Sequence, residues 1–228
     1  MKVLITGATG LIGGGALNQA LLRPEINSII ALSRKDLPAN ISSHHKVKTF
    51  IIKDFSKWES GILEEIKNAD AMIWALGTSD NNQGPNLEYP VAFQDAFVQV
   101  LEPRNGKAPF RWIQLSGKFV VQDQSAPLWF LETPRKTKGR CDTRTLQRNS
   151  EHGDTWHSIV VKPGGVFPKG SVTAGLMSTI LGRGWVIQDD ELGAVMVDLA
   201  INGCVGDEDS VMLNQGLVQR GKELLQGA

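Results

Sequence analysis

The sequence predicts one α/β domain, spanning 1–228, built around a doubly wound, mostly parallel sheet. Three observations support this fold class: short apolar runs alternate with helical repeats along the chain, the first run leads directly into a glycine-spaced turn, and several runs end in glycine or polar residues. Alternating strands and helices favour a parallel sheet covered on both faces. Ligands of such sheets bind outside the carboxyl ends of the strands.

Seven strands are expected, each an apolar run bounded by turn-forming residues. Val3, Leu4 and Ile5 form the first, because consecutive aliphatic residues suit a strand that is buried on both faces. The others are predicted over 28–32, 46–55, 70–78, 110–117, 156–165 and 210–213.

Helices are expected where apolar residues return every three or four positions. The first spans 11–21, and later ones are predicted over 60–67, 87–101, 172–181, 190–204 and 217–225. Residues 79–86 are turn formers and are predicted as a loop. Residues 125–149 form a polar, basic segment between the fifth and sixth strands.

The first turn, TGATGLIGGG, has the spacing of a site for the phosphates of a dinucleotide. Gly7 allows a tight turn, Gly10 lets the backbone approach a pyrophosphate, and Gly13 lets the helix pack on the strand. The N–H groups at the start of the helix would bind the phosphates. Gly14 and Gly15 are additional and weaken the helix, which indicates close packing or close ligand approach there. The predicted phosphate-binding residues are Gly7, Thr9, Gly10, Leu11, Ile12 and Gly13.

The end of the second strand favours NADP over NAD as the cofactor. A carboxylate about 20 residues beyond the glycine turn would bind the ribose hydroxyl of NAD, whereas cationic and hydroxyl groups there accommodate the phosphate of NADP. Ser33, Arg34 and Lys35 occupy this position, and no carboxylate appears before Asp36. A solvated loop with ordinary surface charges is the alternative interpretation.

Further strand ends should converge on the same crevice, because parallel strands end at one edge of the sheet. Asp54 and Phe55 follow the third strand, and Ser116 follows the fifth. The remaining predicted cofactor-binding residues at strand ends are Ala75, Leu76, Gly77 and Thr78 after the fourth strand, and Pro163, Gly164 and Gly165 after the sixth. A small-molecule substrate is the expected partner.

Composition excludes several other classes of partner. Lys plus Arg and Asp plus Glu each number 24, so no basic surplus would attract nucleic acid or an anionic membrane. The first strand begins at Lys2, and no apolar run approaches a membrane span, so we expect a soluble, cytoplasmic protein without a leader peptide. Cys141 and Cys204 lack metal-ligand spacing, and the four histidines form no zinc pattern, so no metal site is expected.

The motifs TGATGLIG, SRK, DF, ALGT, LSG and KPGG, each near a predicted strand end, resemble those of an atypical short-chain dehydrogenase/reductase, with the NmrA-like and Tat-interacting-protein-like members as the nearest subgroup. The resemblance implies a Rossmann fold, a nicotinamide dinucleotide and a catalytic Ser, Tyr and Lys. It assigns Ser116 to the serine position and Lys138 to the lysine, where Lys138 would also bind the cofactor. Pro134 stands where the tyrosine is expected.

The missing tyrosine leaves two functional hypotheses open. One is an NADP-dependent oxidoreductase for a small organic carbonyl, C=C or C=N bond, with residues 164–188 covering the substrate. The other is a non-redox isomerase or cyclase, or a protein that senses NADP. Tyr89, Thr133 and Glu132 are candidate replacements for the proton donor, although packing or surface roles are the ordinary expectation for them.

Overall fold

The computed structural model describes residues 1–171, 185–204 and 210–227, and its centre is a seven-stranded sheet in which all pairs are parallel. The order of the strands is β3-β2-β1-β4-β5-β6-β9. The sheet strands are β1 (Lys2–Thr6), β2 (Ser28–Ser33), β3 (Val47–Ile51), β4 (Ala71–Trp74), β5 (Phe110–Leu115), β6 (Trp156–Lys162) and β9 (Val211–Leu213). The doubly wound α/β prediction is confirmed.

A second, two-stranded parallel ribbon stands beside the sheet and was not expected from the sequence. It pairs β7 (Gly165–Phe167) with β8 (Val186–Gln188). The helices are α1 (Leu11–Leu22), α2 (Ala39–Ser42), α3 (Ser60–Ile66), α4 (Tyr89–Val98), α5 (Glu132–His152), α6 (Asp189–Asn202) and α7 (Asn214–Gln226). No helix in these described parts of the chain is long and apolar enough to span a bilayer.

The strand order reverses direction at β1, which pairs with β2 on one side and β4 on the other. Successive connections from this point run toward opposite edges of the sheet. They therefore leave a crevice between the carboxyl ends of β1 and β4, which is where ligands of open α/β sheets bind.

The two faces of the sheet have different cores. On one face, Val3 and Ile5 of β1 pack with α1, α6 and α7 in an aliphatic cluster. On the other, Leu4 packs into an aromatic cluster in which the Trp74 and Trp112 rings stack with centroids 5.3 Å apart. Alternate residues of each strand point to opposite faces, so one apolar run supplies both cores.

Several predicted boundaries were wrong, each for a local reason. The third strand ends at 51 rather than 55, because Asp54 begins a turn by accepting hydrogen bonds from the N–H and hydroxyl of Ser56. Part of the predicted loop 79–86 is a π-helical turn at Gly84–Glu88, which leads into α4. The predicted sixth strand stops at Lys162, and the chain re-enters extended structure at Gly165. The predicted helix 172–181 lies outside the described residues.

A close crossing of α1 and α6 explains one of the additional glycines. A Cβ on Gly193 would lie 2.7 Å from the carbonyl carbon of Gly15, and a Cβ on Gly15 would lie 2.7 Å from the Asp189 oxygen. Neither position tolerates a side chain without displacing backbone. The low helix propensity of Gly15 is therefore offset by packing α1 against the start of α6.

We predict that Gly193→Ala lowers the free energy of unfolding by about 1–3 kcal/mol, because its methyl group overpacks this crossing. Gly61→Ala is the matched control: Gly61 is also helical, but nothing lies within 4 Å of its added Cβ. That variant should gain up to about 1 kcal/mol from helix propensity. Chemical denaturation measures the free energy of unfolding of both variants. Equal changes in the two variants would contradict the close backbone contact between α1 and α6.

Candidate functional site

A crevice with a volume of about 360 Å³ lies at the carboxyl ends of β1, β4 and β5. The start of α1, the segment after β4, the end of β5 and one face of α5 form its walls. Its lining residues are Gly7, Gly10, Leu11, Ile12, Gly13, Ala75, Leu76, Gly77, Thr78, Ser79, Pro85, Asn86, Gln114, Leu115, Ser116, Lys138, Cys141, Asp142 and Val166. The structure thus brings the glycine turn, 75–78, Ser116 and Lys138 into one crevice.

The glycine turn is fixed by backbone contacts on two sides. Gly7 has φ +69°, and a Cβ there would lie 2.6 Å from the Ala75 oxygen. A Cβ on Gly13 would lie 2.3 Å from the Gly7 oxygen. Gly10 is different, since the nearest neighbour of its added Cβ is one oxygen at 3.3 Å. The sequence roles given to Gly7 and Gly13 agree with this geometry, and Gly10 is exposed beside the crevice.

A buried hydroxyl ties the turn to the neighbouring strand. The Oγ1 of Thr6, at the end of β1, accepts hydrogen bonds from the N–H groups of Ala75 at 3.1 Å and Leu76 at 3.2 Å. Thr6 is completely buried. The segment after β4 is therefore held at a fixed distance from the glycine turn.

The first turn of α1 presents backbone donors to the crevice. Gly10 is the N-cap, and no side chain caps the helix. Among the hydrogen bonds of the described residues, the N–H groups of Leu11, Ile12 and Gly13 have no acceptor. No acidic side chain lies in this first turn. An anionic group such as a pyrophosphate fits these donors and the positive end of the helix dipole.

A smaller cavity of about 120 Å³ continues from the glycine turn to the end of β2. Its lining residues are Gly7, Thr9, Leu32, Ser33, Arg34, Lys35, Phe55 and Leu76. Ser33 is buried, and its Oγ accepts the N–H of Lys35 at 3.2 Å. Arg34 is exposed and makes no ion pair or hydrogen bond within the described residues. The predicted cationic edge therefore borders a cavity that reaches the phosphate turn.

Phe55 lines this smaller cavity, whereas the carboxylates of Asp54 and Asp36 do not. The Phe55 ring is fixed by stacking on Tyr89 with centroids 6.1 Å apart. The Oδ1 of Asp54 is instead occupied by Ser56, and Asp54 lines none of the cavities described. Asp36 lines a separate cavity of about 490 Å³ between α1 and α2.

A buried polar cluster lies where the end of β5 meets α5 in the crevice wall. Ser116 Oγ donates a hydrogen bond to Asp142 Oδ2 at 2.8 Å, and Lys162 Nζ lies 3.2 Å from the same oxygen. Asp142 is 1% exposed and Lys162 is 7% exposed. Burial raises the pKa of Asp142, while the Lys162 charge and the Ser116 hydrogen bond act in the opposite direction.

Helix α5 places Lys138 and Asp142 on one crevice-facing side, because they are four residues apart. Pro134 lies one turn before Lys138 and is buried, and it does not line the crevice. Burial lowers the pKa of Lys138, opposed by the nearby Asp142 carboxylate. Burial likewise raises the pKa of the Cys141 thiol to about 12, which makes it a poor nucleophile.

The other candidate proton donors lie outside the crevice lining. Tyr89 packs against Phe55, and Glu132 is an exposed carboxylate paired with Lys136 at 2.5 Å. Thr133 is exposed.

The predicted residues after β6 are placed at the crevice margin. Pro163, Gly164 and Gly165 do not line the cavity, whereas Val166 does. The N–H of Gly164 donates to Asn214 Oδ1 at 2.7 Å, which connects this segment to α7. Most of the predicted covering segment 164–188 lies in 172–184, outside the described residues.

The sequence analysis missed two crevice residues, Asp142 and Asn86, and Lys162, which contacts Asp142. Asp142 could have been found, since it follows Lys138 at helical spacing. Lys162 resembles an ordinary strand terminus in sequence, and only the fold places it on Asp142. Asn86 is buried, and its Oδ1 accepts the N–H of Thr78 at 2.9 Å, a contact that depends on the π-helical turn. Within the described residues, no three His, Cys, Asp or Glu side chains are grouped as metal ligands.

Sequence relatives are found over nearly the full chain, although no protein-family model matches it. The chain is 25% identical over 235 residues to "Protein FMP52, mitochondrial" of Candida albicans, covering 95% of both chains. It is 26% identical over 219 residues to the protein of the same name in Saccharomyces cerevisiae, covering 89% of this chain and 88% of the relative.

Solved structures with the same fold include a short-chain dehydrogenase/reductase from Brucella melitensis, with TM-score 0.65, 15% identity and 93% coverage of both chains. L-sorbose reductase of Gluconobacter frateurii, complexed with NADPH and L-sorbose, has TM-score 0.66, 14% identity and 93% coverage of both chains. dTDP-glucose 4,6-dehydratase of Bacillus anthracis, complexed with NAD, has TM-score 0.64 and 14% identity, covering 99% of this chain and 81% of that one.

The fold is that of the short-chain dehydrogenases/reductases. The expected cytoplasmic location is corrected by the relatives, whose names place them in mitochondria. Targeting signals that are read by receptors need neither a leader peptide nor an apolar span, so those two criteria do not determine the compartment of a protein.

We predict that Thr6→Val lowers the free energy of unfolding by about 1–3 kcal/mol, because the partly buried N–H groups of Ala75 and Leu76 lose their acceptor while the side-chain volume is retained. Thr6→Ser keeps the hydroxyl and should cost less, although it loses a methyl group. Thermal and chemical denaturation of both variants measure this difference. A valine variant as stable as the serine variant would show that the two hydrogen bonds do not hold the segment.

Proposed function

We propose that the chain is an NADP(H)-binding oxidoreductase of the atypical short-chain dehydrogenase/reductase type, acting on a small organic carbonyl, C=C or C=N substrate. The observation that carries this proposal is a pair of adjoining cavities that share Gly7 and Leu76 and are lined by three kinds of group. Unpaired amides of α1 lie beside the larger of the two, Ser116 and Lys138 line that same cavity, and Arg34 and Lys35 line the smaller one. This sequence of groups matches the phosphates, the adenosine side and the reactive ring of a nicotinamide dinucleotide.

The residues have distinct binding roles in this proposal. The N–H groups of Leu11, Ile12 and Gly13 bind the pyrophosphate, and Arg34 and Lys35 bind the additional phosphate of NADP. Lys138 donates hydrogen bonds to hydroxyl groups near the reactive end. When bound, the nicotinamide supplies or accepts the hydride.

The chemistry of the crevice restricts the substrate. The hydroxyl of Ser116, at the end of β5, can orient a substrate oxygen or nitrogen, and Lys138 supplies positive charge in the same crevice. Pro134 cannot donate a proton where a tyrosine would do so. Loss of a general acid typically costs a factor of about 10² to 10⁴ in rate. Substrates with an activated C=C or C=N bond therefore suit this crevice better than unactivated ketones.

Pro134 also supports the second candidate, a non-redox enzyme or a sensor that retains the dinucleotide site. Neither the name of the relatives nor the fold specifies a reaction. Among proteins of this fold, L-sorbose reductase binds NADPH and the dehydratase binds NAD, so both cofactors are compatible with the architecture. A mitochondrial location, by analogy with the relatives, forms part of the proposal.

Cofactor preference tests the binding part of the proposal. We expect Arg34→Ala to weaken NADPH binding about tenfold to a hundredfold, the contribution of one or two charged hydrogen bonds, and to leave NADH binding nearly unchanged. Arg23→Ala is the control, since Arg23 pairs with Glu25 at the far end of α1. Isothermal titration calorimetry measures the dissociation constants of NADPH and NADH for each variant. An equal loss for NADPH and NADH in Arg34→Ala would rule out a selective phosphate contact.

The redox part requires a turnover measurement. Absorbance of NADPH at about 340 nm should fall with at least one member of a panel of enones, imines and activated carbonyls, because hydride transfer oxidises the nicotinamide. Lys138→Ala should reduce this rate. Tight NADPH binding with no absorbance change across the panel would favour the non-redox candidate instead.

A further inference from the structure

The crevice contains a buried carboxyl group that the proposed binding roles leave unused. Asp142 lies one helical turn beyond Lys138 on α5. Its Oδ2 accepts a hydrogen bond from Ser116 Oγ and forms an ion pair with Lys162 Nζ. Lys162 also donates to the Val120 carbonyl at 3.3 Å, which fixes the ammonium group in place. The carboxyl therefore lies in the crevice wall beside Ser116, and its Oδ2 is hydrogen-bonded to that hydroxyl.

The direction of the Ser116 hydrogen bond decides what this hydroxyl can do. While Asp142 is ionised, Ser116 donates its hydrogen to Asp142 and can only accept a hydrogen bond from a substrate. When Asp142 carries a proton, the carboxyl can donate to Ser116 Oγ, and the Ser116 hydrogen can turn toward a substrate atom. The protonation state of Asp142 thus determines whether the crevice offers a proton or accepts one.

We propose that Asp142 holds the proton of the reaction and exchanges it with the substrate through Ser116 Oγ, in place of the absent tyrosine. This inference rests on the proposed function. In the reducing direction, Ser116 gives its hydrogen to the substrate oxygen or nitrogen and takes the Asp142 proton. The hydride from the dinucleotide and this proton together complete the reduction. Asp142 is left ionised beside Lys162 and regains a proton from solvent before the next cycle.

The groups around Asp142 allow its proton affinity to respond to charge in the crevice. Lys162 faces it from β6, Lys138 and Cys141 face it from α5, and Ser116 faces it from the end of β5. Burial raises the pKa of Asp142, and Lys162 opposes this shift. Because burial and the Lys162 charge oppose each other, a positively charged nicotinamide in the crevice would favour the ionised form of Asp142, and a neutral one would favour the protonated form. Asp142 would then release its proton when the nicotinamide loses its hydride.

A purely structural ion pair is the competing explanation, and the chain contains one for comparison. Asp198 of α6 is also buried and pairs with Arg220 of α7 at 2.6 Å. It lines none of the cavities described. Asp198 therefore shares the burial and pairing of Asp142 but lacks the connection to the crevice.

Carbon-13 NMR of the full chain, labelled at aspartate carboxyl carbons, tests the inference. The Asp142 signal is assigned by its absence from the spectra of Asp142→Asn and Asp142→Glu. The glutamate variant keeps a carboxylate and serves for the assignment if the asparagine variant does not fold. The signal is titrated with pH in complexes with NADP⁺ and with the acid-stable tetrahydro form of NADPH. We expect the midpoint to lie about one pH unit higher with the neutral ring, the effect of a unit charge at about 10 Å in partly buried surroundings.

Two controls isolate the nicotinamide effect. Adenosine 2′,5′-bisphosphate, which lacks the nicotinamide, should leave the Asp142 midpoint near that of the unliganded protein. The Asp198 signal, assigned with Asp198→Asn, should be the same in both complexes. Ser116→Ala should raise the Asp142 midpoint, because the carboxylate loses a donor.

The outcomes separate the two proposals. Identical Asp142 midpoints in the oxidised and reduced complexes would overturn the proton-holding role and leave the dinucleotide site intact. Equal shifts of the Asp142 and Asp198 titration midpoints between the two complexes would also overturn the proton-holding role. Failure of both dinucleotides to bind would overturn the proposed function and this inference with it.

Discussion

The close approach of the ends of β1 and β4 is the constraint on which the crevice depends. Thr6 accepts two N–H groups from the segment after β4, and Gly7 leaves no room for a Cβ against the Ala75 carbonyl. Gly13 in turn brings α1 against the Gly7 oxygen. Strand, turn and helix are thus held together by backbone contacts and by the Thr6 hydroxyl. The amides of α1 consequently lie at a fixed distance from the segment that forms the opposite wall of the crevice.

The two unequal cores support this arrangement from both faces of the sheet. Aromatic rings on one face, including Trp74 and Trp112, fix β4 and β5 side by side, so the strand ends that carry the crevice share a rigid base. On the other face, the glycine contact between α1 and α6 sets the position of α1. A dinucleotide site built mainly from backbone needs such support, because displacement of a strand end would move several donors together.

The sequence predicted the fold, and it predicted that the glycine turn and Ser116 would lie at one crevice, because parallel strand ends converge whatever their side chains. Arg34 and Lys35 line the adjoining smaller cavity, and Lys138, on α5, was expected at the crevice from the family resemblance alone. It did not predict the Ser116–Asp142–Lys162 cluster. This cluster joins residues from β5, α5 and β6, and its contacts depend on how α5 packs on the sheet rather than on any local pattern. The π-helical turn before α4 was also missed, since its turn-forming residues, such as Gly84 and Pro85, equally suit a loop.

Amide hydrogen exchange with and without NADPH tests whether a dinucleotide binds in this crevice. We expect slower exchange in four segments at the carboxyl ends of the strands: 9–14, 33–36, 75–79 and 115–118. Residues 197–202, at the C-terminal end of α6, should be unchanged. Protection confined to other parts of the chain, or no protection at saturating NADPH, would contradict the assignment of the crevice.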